Sequence, residues 1–371
     1  MPNTPFPTAD DVCDPPLSVV ERIEALLEIV SQVSSLSDIE APTTPQFEAF
    51  QWLSTVDDVC PEDRLDVVQR YILAVLYFST DGENWENCRA DGTGPCPAAA
   101  NRYLSSSNVC QWFETECDVN GEIESIGLDD NSLSGVLPSE LVSLQRLRVL
   151  QFDLNGGIGG MIPDAYGDLS NLRILDLEFN ALTGAIPENL YMATSLVELS
   201  LNSNFLVGDI SPSVGDLQML DVLQLDNNMI QGEIPPEIGE LESLSFLTVN
   251  TNEITGVIPQ TLANNTRLRT IAAQQNELRG PIPSFLGDLE LLETINLFDN
   301  FLTGMVPSQL GRLTNLENLF LHFNFLTGTM PDEICALRRA GTLVQLTADC
   351  LNATSAFYVE CVQGECCTAC F

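Results

Sequence analysis

Lysine is absent from this chain. All 14 of its basic residues are arginines, set against 53 aspartates and glutamates, for a formal net charge of −39. Without a lysine there is no P-loop Gly-Lys-Ser/Thr, no phosphate-pairing lysine of a protein kinase and no amine for Schiff-base chemistry. So few basic residues also leave no stripe that could displace counterions from phosphate, which excludes nucleic acid as a partner. The acidity itself reads as a solvated, self-repelling surface; the alternative, a cation-binding role, is not accompanied by an Asp-rich loop of EF-hand form.

Histidine is nearly absent too. His322 is the single imidazole, no Ser or Cys nucleophile with a neighbouring base can be placed beside it, and there is no Gly-x-Ser-x-Gly elbow. Carboxylate pairs such as Asp129 and Asp153 could imitate a glycosidase pair, but on an open strand surface they would lack the desolvation that raises an acid's pKa. The chain therefore reads as a non-enzyme, with no cofactor and no metal centre. Long apolar runs are missing as well: the longest, Tyr71 to Phe78, falls far short of the ~20 residues a membrane helix needs. The start, Met1-Pro2-Asn3-Thr4-Pro5, has neither a basic nor an apolar stretch of signal-peptide type, so an export or anchoring segment is expected outside the sequence shown.

Cysteine is missing from the middle of the chain only. Cys13, Cys60, Cys88, Cys96, Cys110 and Cys117 precede it, and Cys335, Cys350, Cys361, Cys366, Cys367 and Cys370 follow. Cysteines confined to two ends read as disulfide-stapled caps made in an oxidising compartment. Cys110 with Cys117, then Cys88 with Cys96, are the pairs that spacing favours; among the six C-terminal cysteines 15 connectivities stay open. The run Cys361 to Cys370 could hold zinc instead, though no histidine accompanies it. Sequons at Asn264 and Asn352 point to glycosylation and the same compartment.

What the chain has in abundance is repetition. From residue 126 one pattern recurs, L-x-L-x-x-N-x-L-x-G-x-I-P, with its asparagines at 131, 155, 180, 204, 228, 252, 276, 300 and 324, spaced by 24 residues except for 25 between Asn155 and Asn180. The two apolar residues before each Asn, such as Leu175 and Leu177, point inward from a short strand. The Asn bonds turn backbone, the Gly permits a bend and the Pro ends strand pairing. Stacked turns bury one continuous core. The longer second turn, Asn155-Gly156-Gly157-Ile158-Gly159-Gly160, predicts a bulge in its outer loop, and Ser211-Pro212 replaces the usual Ile-Pro in the fourth.

Ahead of the repeats, residues 1–16 form a Pro-, Asp- and Thr-rich flexible lead. Ser18 caps a helix carrying Val19, Ile23, Leu26, Leu27, Val30 and Val33, and a linker spans Ser37 to Thr44. Thr44-Pro45 opens a second helix through Phe47, Phe50, Trp52 and Leu53, and a third runs from about Glu62 to Phe78. The expected organisation is a lead (1–16), a helical, Cys-containing N-terminal cap (17–125), a repeat array (126–334) and a Cys-rich C-terminal cap (335–371).

The repeat resembles the plant-specific leucine-rich repeat of receptor-like kinase ectodomains, receptor-like proteins and polygalacturonase-inhibiting proteins. Cys110-Gln111-Trp112-Phe113-Glu114-Thr115-Glu116-Cys117 is similar to that family's C-x-W-x-G-V-x-C cap, with Glu114-Thr115 in place of Gly-Val. The stretch from Thr44-Pro45-Gln46 through Trp52-Leu53, then Gln69 to Gly82 and Trp85, resembles the leader of leucine-rich-repeat proteins abundant in diatoms and related algae. The resemblance implies an α/β fold: a right-handed leucine-rich-repeat solenoid, or horseshoe, with a parallel concave sheet. It also implies a secreted or cell-surface recognition protein, with a protein, peptide or polysaccharide ligand as partner and a co-receptor as a further one.

In such a fold the strand residues between and after the core leucines face the concave side. The position two before each Asn reads Asp129, Asp153, Glu178, Asn202, Asp226, Asn250, Gln274, Phe298, His322, passing from acidic through amide to aromatic. With Phe320 and Phe323, and with Phe301 and Phe325 nearby, the last turns offer an aromatic cluster flanked by Asn296 and Asn318. Either a sugar polymer or peptide stacks there, or some of these rings belong to the core or lie under the C-terminal cap. Arg148, Arg173 and Arg269 fall at the strand edge, where Arg148 and Arg173 could pair with Asp153 and Asp176 as surface ion pairs, or clamp an anionic ligand. The function expected is ligand binding on the concave face. The alternatives are a structural or adhesive scaffold and an inhibitor of a wall-degrading hydrolase.

Overall fold

A computed structural model describes Cys13 and residues 17–349, 359–361 and 366–371. The rest of the lead, Cys350 and the Asn352 sequon lie outside the described residues. The chain divides into two compact units, Met1–Leu182 and Thr183–Phe371, a division that falls within the repeat array.

The first unit opens with helices. Helix α1 (Val19–Val30) starts at Ser18 in a capping box with Glu21. Its buried face differs from the one its aliphatic spacing predicts: Arg22, Leu26, Ile29 and Val30 are buried and Val19 is exposed. Arg22 goes inside because its guanidinium caps the end of another helix, donating to the carbonyls of Leu53, Ser54, Asp57 and Val59. The expected linker contains a short helix, α2 (Leu36–Glu40), whose cap Ser35 accepts from the Asp38 N–H. Helix α3 (Pro45–Thr55) begins at Thr44 with Pro in its first turn, and α4 (Arg64–Ser79) at Asp63. Helix α4 is buried along most of its length and lies against the first repeat. Gly135, at φ 109°, leaves room for the Ser79 carbonyl, which would sit 2.3 Å from a side-chain carbon there.

Trp85 and Trp112 are buried against Tyr103, with ring centroids 4.7 and 5.3 Å from it, and buried Trp52 meets Trp112 edge-on at 6.0 Å. Arg70 lies over Trp112 and bonds buried Asp57 at 2.8 Å. Disulfides Cys13–Cys60, Cys88–Cys96 and Cys110–Cys117 tie this cap together. Its sheet consists of Thr115–Cys117, antiparallel to Ile123–Gly127, followed in parallel by Val149–Gln151 and Ile174–Asp176.

In the second unit all sheet strands are parallel, from Glu198–Ser200 to Gln345–Ala348 and Ala369–Cys370. Leu199, Leu223, Leu247, Ile271, Ile295, Leu319 and Leu346 stand opposite one another in register and are buried, each such burial stabilising by about 2 kcal/mol. Opposite the sheet, each turn carries a five-residue 3₁₀ helix opening after a proline, as Glu188–Met192 does after Pro187. At the fourth turn Ser211 takes that place and accepts from the Ser213 N–H. The C-terminal cap adds helix α5 (Asp332–Ala340) and disulfides Cys335–Cys366 and Cys361–Cys367. Sulfurs joined in this way are not thiolate ligands for zinc.

The repeat asparagines form a ladder. Asn155 Nδ2 donates to the carbonyls of Leu128, Phe152 and Asp153, while its Oδ1 accepts from the N–H groups of Asn131 and Leu133. Asn300 does the same in the second unit, donating to Ala273, Leu297 and Phe298 and accepting from Leu278. The extra residue of the second turn also finds its place. The outer 3₁₀ helix Asp164–Asp168 keeps the usual five residues, while Ser134 pairs with Gly157, one position further on than the 22-residue offset seen at Thr183 and Phe205. The bulge therefore sits at Gly156, just after the ladder Asn, and not in the outer loop.

Asn300→Ala strips several buried backbone groups of partners at once, so it is expected to destabilise the chain by about 3 kcal/mol. Asn250→Ala, on the half-buried sheet face, is expected to change stability by no more than about 0.5 kcal/mol. Chemical denaturation of the two variants checks the contrast.

Candidate functional site

The second unit's sheet places every second side chain on one solvent-facing surface. Along the strand Asn318–Phe320, Leu319 is buried and Asn318 and Phe320 are half-buried. Register sets Ala272 beside Asn296, Asn296 beside Phe320 and Phe320 beside Thr347. One step along the chain, backbone bonds from Gln275 to Phe298 and from Asp299 to His322 set Gln274, Phe298 and His322 side by side.

Here the rings meet. Phe298 and His322 stack with centroids 4.7 Å apart, and His322 stacks on its other side against Phe371 at 4.3 Å. Phe323 meets both His322 and Phe371 edge-on, at 4.9 and 5.5 Å. Phe323 and Phe371 are 53% and 51% exposed, so the cluster stands at the surface and not in the core. Phe323 has a left-handed backbone, φ 57°, but so has the residue before every other ladder Asn, among them Phe179 and Asp299. That conformation belongs to the turn, not to this site.

His322 Nδ1 lies 2.7 Å from Thr347 Oγ1. Burial lowers the imidazole pKa below its ordinary 6.5, against the pull of Asp349 and Asp299. Asn318 Nδ2 donates to Thr294, while Asn296 Oδ1 and Gln274 Oε1 are shielded from solvent with no hydrogen-bond partner. Asp226 accepts from Thr248 at 2.7 Å.

Of the residues singled out from sequence, Phe298, His322 and Phe323 come together, with Phe320, Asn296, Asn318 and Gln274 beside them on the same face. Phe371 and Thr347 were missed. Both arrive with the C-terminal cap, whose strands carry no repeat motif. Phe301 and Phe325 separate from the group: they stack on each other at 5.9 Å in a different sheet, with Arg279 over Phe301. Arg148 pairs with Glu124 at 3.6 Å and not with Asp153, and Arg269 pairs with Glu293 at 2.5 Å, each one turn away and exposed. In the first unit Asp153 and Glu178 are half-buried on the sheet face. The Asp153 carboxyl is pushed above its usual range, first by burial and then by Asp129, contrary to the expectation that an open strand surface leaves it unshifted.

A folded-state pKa below the unfolded one means that the unfolded chain binds the proton more readily, so the His322 contribution is held above pH 6.5 and lost as pH falls. His322→Phe keeps a ring in the stack and removes the titration. Thermal unfolding of wild type against this variant is expected to show the wild type losing ground as pH falls below 6.5.

The comparisons with known proteins agree with this architecture. The leucine-rich-repeat family model matches residues 171–192, 219–241 and 315–337. A leucine-rich-repeat receptor-like serine/threonine-protein kinase of Arabidopsis thaliana, RGI4, is 36% identical over 91 residues, 24% of this chain and 8% of the relative. Polygalacturonase inhibitor 1 of Oryza sativa subsp. japonica is 32% identical over 75 residues, 20% of this chain and 23% of the inhibitor. Among solved structures, the leucine-rich-repeat ectodomain of the A. thaliana membrane receptor kinase GASSHO1/SCHENGEN3, in complex with Casparian strip integrity factor 2, superimposes with a TM-score of 0.64. It has 33% identity and covers 72% of this chain and 32% of that one. The matches thus span less than a quarter of the curated relatives' length. Repeat motif, ladder, parallel sheet and these likenesses converge on a leucine-rich-repeat solenoid similar to the ectodomains of plant receptor kinases and to a plant polygalacturonase inhibitor.

Proposed function

We propose that this chain is a ligand-binding leucine-rich-repeat protein of the cell exterior, holding a protein, peptide or polysaccharide ligand on the face of its second-unit sheet, around Phe298, Phe320, His322 and Phe323. The observation that carries this reading is the surface stack of Phe298, His322 and Phe371, with Phe323 against its edge. Rings half open to solvent, set among amides and on a rigid sheet, are the composition of a binding anchor. The GASSHO1/SCHENGEN3 ectodomain, with its bound integrity factor, supports the class. Disulfides in both caps support an oxidising compartment. Asn264 is exposed on the outer row of 3₁₀ turns, beside buried Asn265, which bonds the carbonyls of Ile238 and Leu241. A glycan on Asn264 would leave the sheet face free. Among the described residues no helix is long and apolar enough to cross a membrane.

A second reading, inhibition of a wall-degrading hydrolase, draws on the likeness to the rice polygalacturonase inhibitor. The two are separated by what is bound: an enzyme inhibited in the second case, a non-enzyme ligand in the first.

Binding to a glycan and secreted-peptide array is expected to disappear in a Phe298→Ala/Phe320→Ala variant whose unfolding midpoint is unchanged; binding of equal strength in both proteins would place the site elsewhere. Expressed through a eukaryotic secretory route, the chain is expected to lose apparent mass on N-glycosidase treatment, by a smaller amount in Asn264→Gln.

A further inference from the structure

The aromatic face states what it lacks. Its hydrogen-bonding groups are short of donors: Gln274 Oε1 and Asn296 Oδ1 have none, although a buried acceptor left unmatched is costly. Asn296 lies on the same turn as Phe298 and Gln274 on the turn before it, beside the small Ala272, which stands between Thr248 and Asn296 in register. Rotation about the terminal side-chain bonds would turn either amide oxygen to the open face.

The charges nearby are of one sign. Asp299 and Asp349 stand beside the stack and act on His322, and Arg269, at the strand edge, is taken up by Glu293. His322 is the single basic residue among the face positions of these turns, and burial favours its neutral form. A carboxylate or sulfate placed here would face Asp299 and Asp349 with no arginine on the sheet face to pair with. A neutral sugar would use the rings but leave the carboxylates unused.

Resting on the ligand-binding reading above, we infer that the occupant of this face is a basic segment of a peptide or protein, with an arginine or lysine seated over the Phe298 and Phe320 rings beside the amide oxygens of Gln274 and Asn296. A guanidinium or ammonium group offers donors and no acceptor, which is what the unpartnered oxygens require. Its charge is attracted by the faces of the phenylalanines and by the flanking aspartates. The hydrocarbon stem of the side chain covers the exposed edges of the rings. Net charge alone would attract polycations anywhere on this chain; the rings and amides confine the preference to one face.

The test selects binders from a random 12-residue peptide display library on the full oxidised chain at physiological salt, with counter-selection on Phe298→Ala/Phe320→Ala, which carries the same net charge. Surviving peptides are expected to be enriched in arginine or lysine next to an apolar residue, and replacing that arginine by citrulline to weaken binding at least tenfold. Gln274→Met, which keeps the side chain's length and removes the acceptor, is expected to weaken the same peptides roughly tenfold with an unchanged or raised unfolding midpoint. Survivors without basic residues, or citrulline peptides that bind as well, overturn the inference while leaving the ligand-binding reading in place. If peptides bind both proteins alike and none survives counter-selection, the inference falls, and the glycan and secreted-peptide array decides whether the ligand-binding site falls with it. A Gln274→Met variant that loses stability but keeps its affinity makes that amide structural and removes it from the site.

Discussion

The hydrogen bonds of the repeat asparagines are what the rest of this molecule depends on. A turn of about 24 residues in a solenoid cannot satisfy its own backbone, because the chain must leave each strand through a buried bend. In the second unit the ladder side chains resolve this by giving amide hydrogens to carbonyls of their own and the preceding turn and taking an N–H in return, as Asn276 does for Val249, Ala273 and Ile254. The ladder needs closing at its ends. In the first unit the Asn87 N–H occupies Asn131 Oδ1. In the second, Asp349 stands where a further asparagine would, accepting from the N–H groups of Phe323 and Asn324.

Because the ladder and the leucine rows hold the turns, the face positions between them are released from structural duty. Along one such row the second unit changes from Asp226 through Asn250 and Gln274 to Phe298 and His322 without any change in the strand register that carries it. Function on this scaffold is therefore a matter of which side chains are written on a fixed lattice.

The lattice was legible in the sequence, and the reason is physical. Repetition at a fixed period multiplies a weak signal, so the positions of the strands, the bends and the buried asparagines could be read directly. Thr44-Pro45 likewise announced α3 because cap and first-turn preferences are local. What stayed hidden depended on contacts between distant residues. Arg22 reads as the polar side of a helix, yet it is buried by carbonyls more than thirty positions away. Phe301 and Phe325 read as neighbours of Phe298, yet they belong to another sheet, because one residue after the ladder Asn the chain has already turned away. The extra residue at Gly156 was evident, but where it is absorbed is decided by pairing with the turn before it.

Phe371 reaches His322 from the strand Ala369–Cys370, which follows directly on Cys366 and Cys367, and these are bonded to helix α5 through Cys335 and to Cys361. The third ring of the stack is thus held by covalent chemistry that happens after the repeats have been laid down. A newly made chain with its thiols still reduced would carry two of the three stacked rings on its repeats while the third lacked its tether. The aromatic face is in that sense finished by oxidation: closure of the cap's disulfides and completion of the three-ring stack become one event.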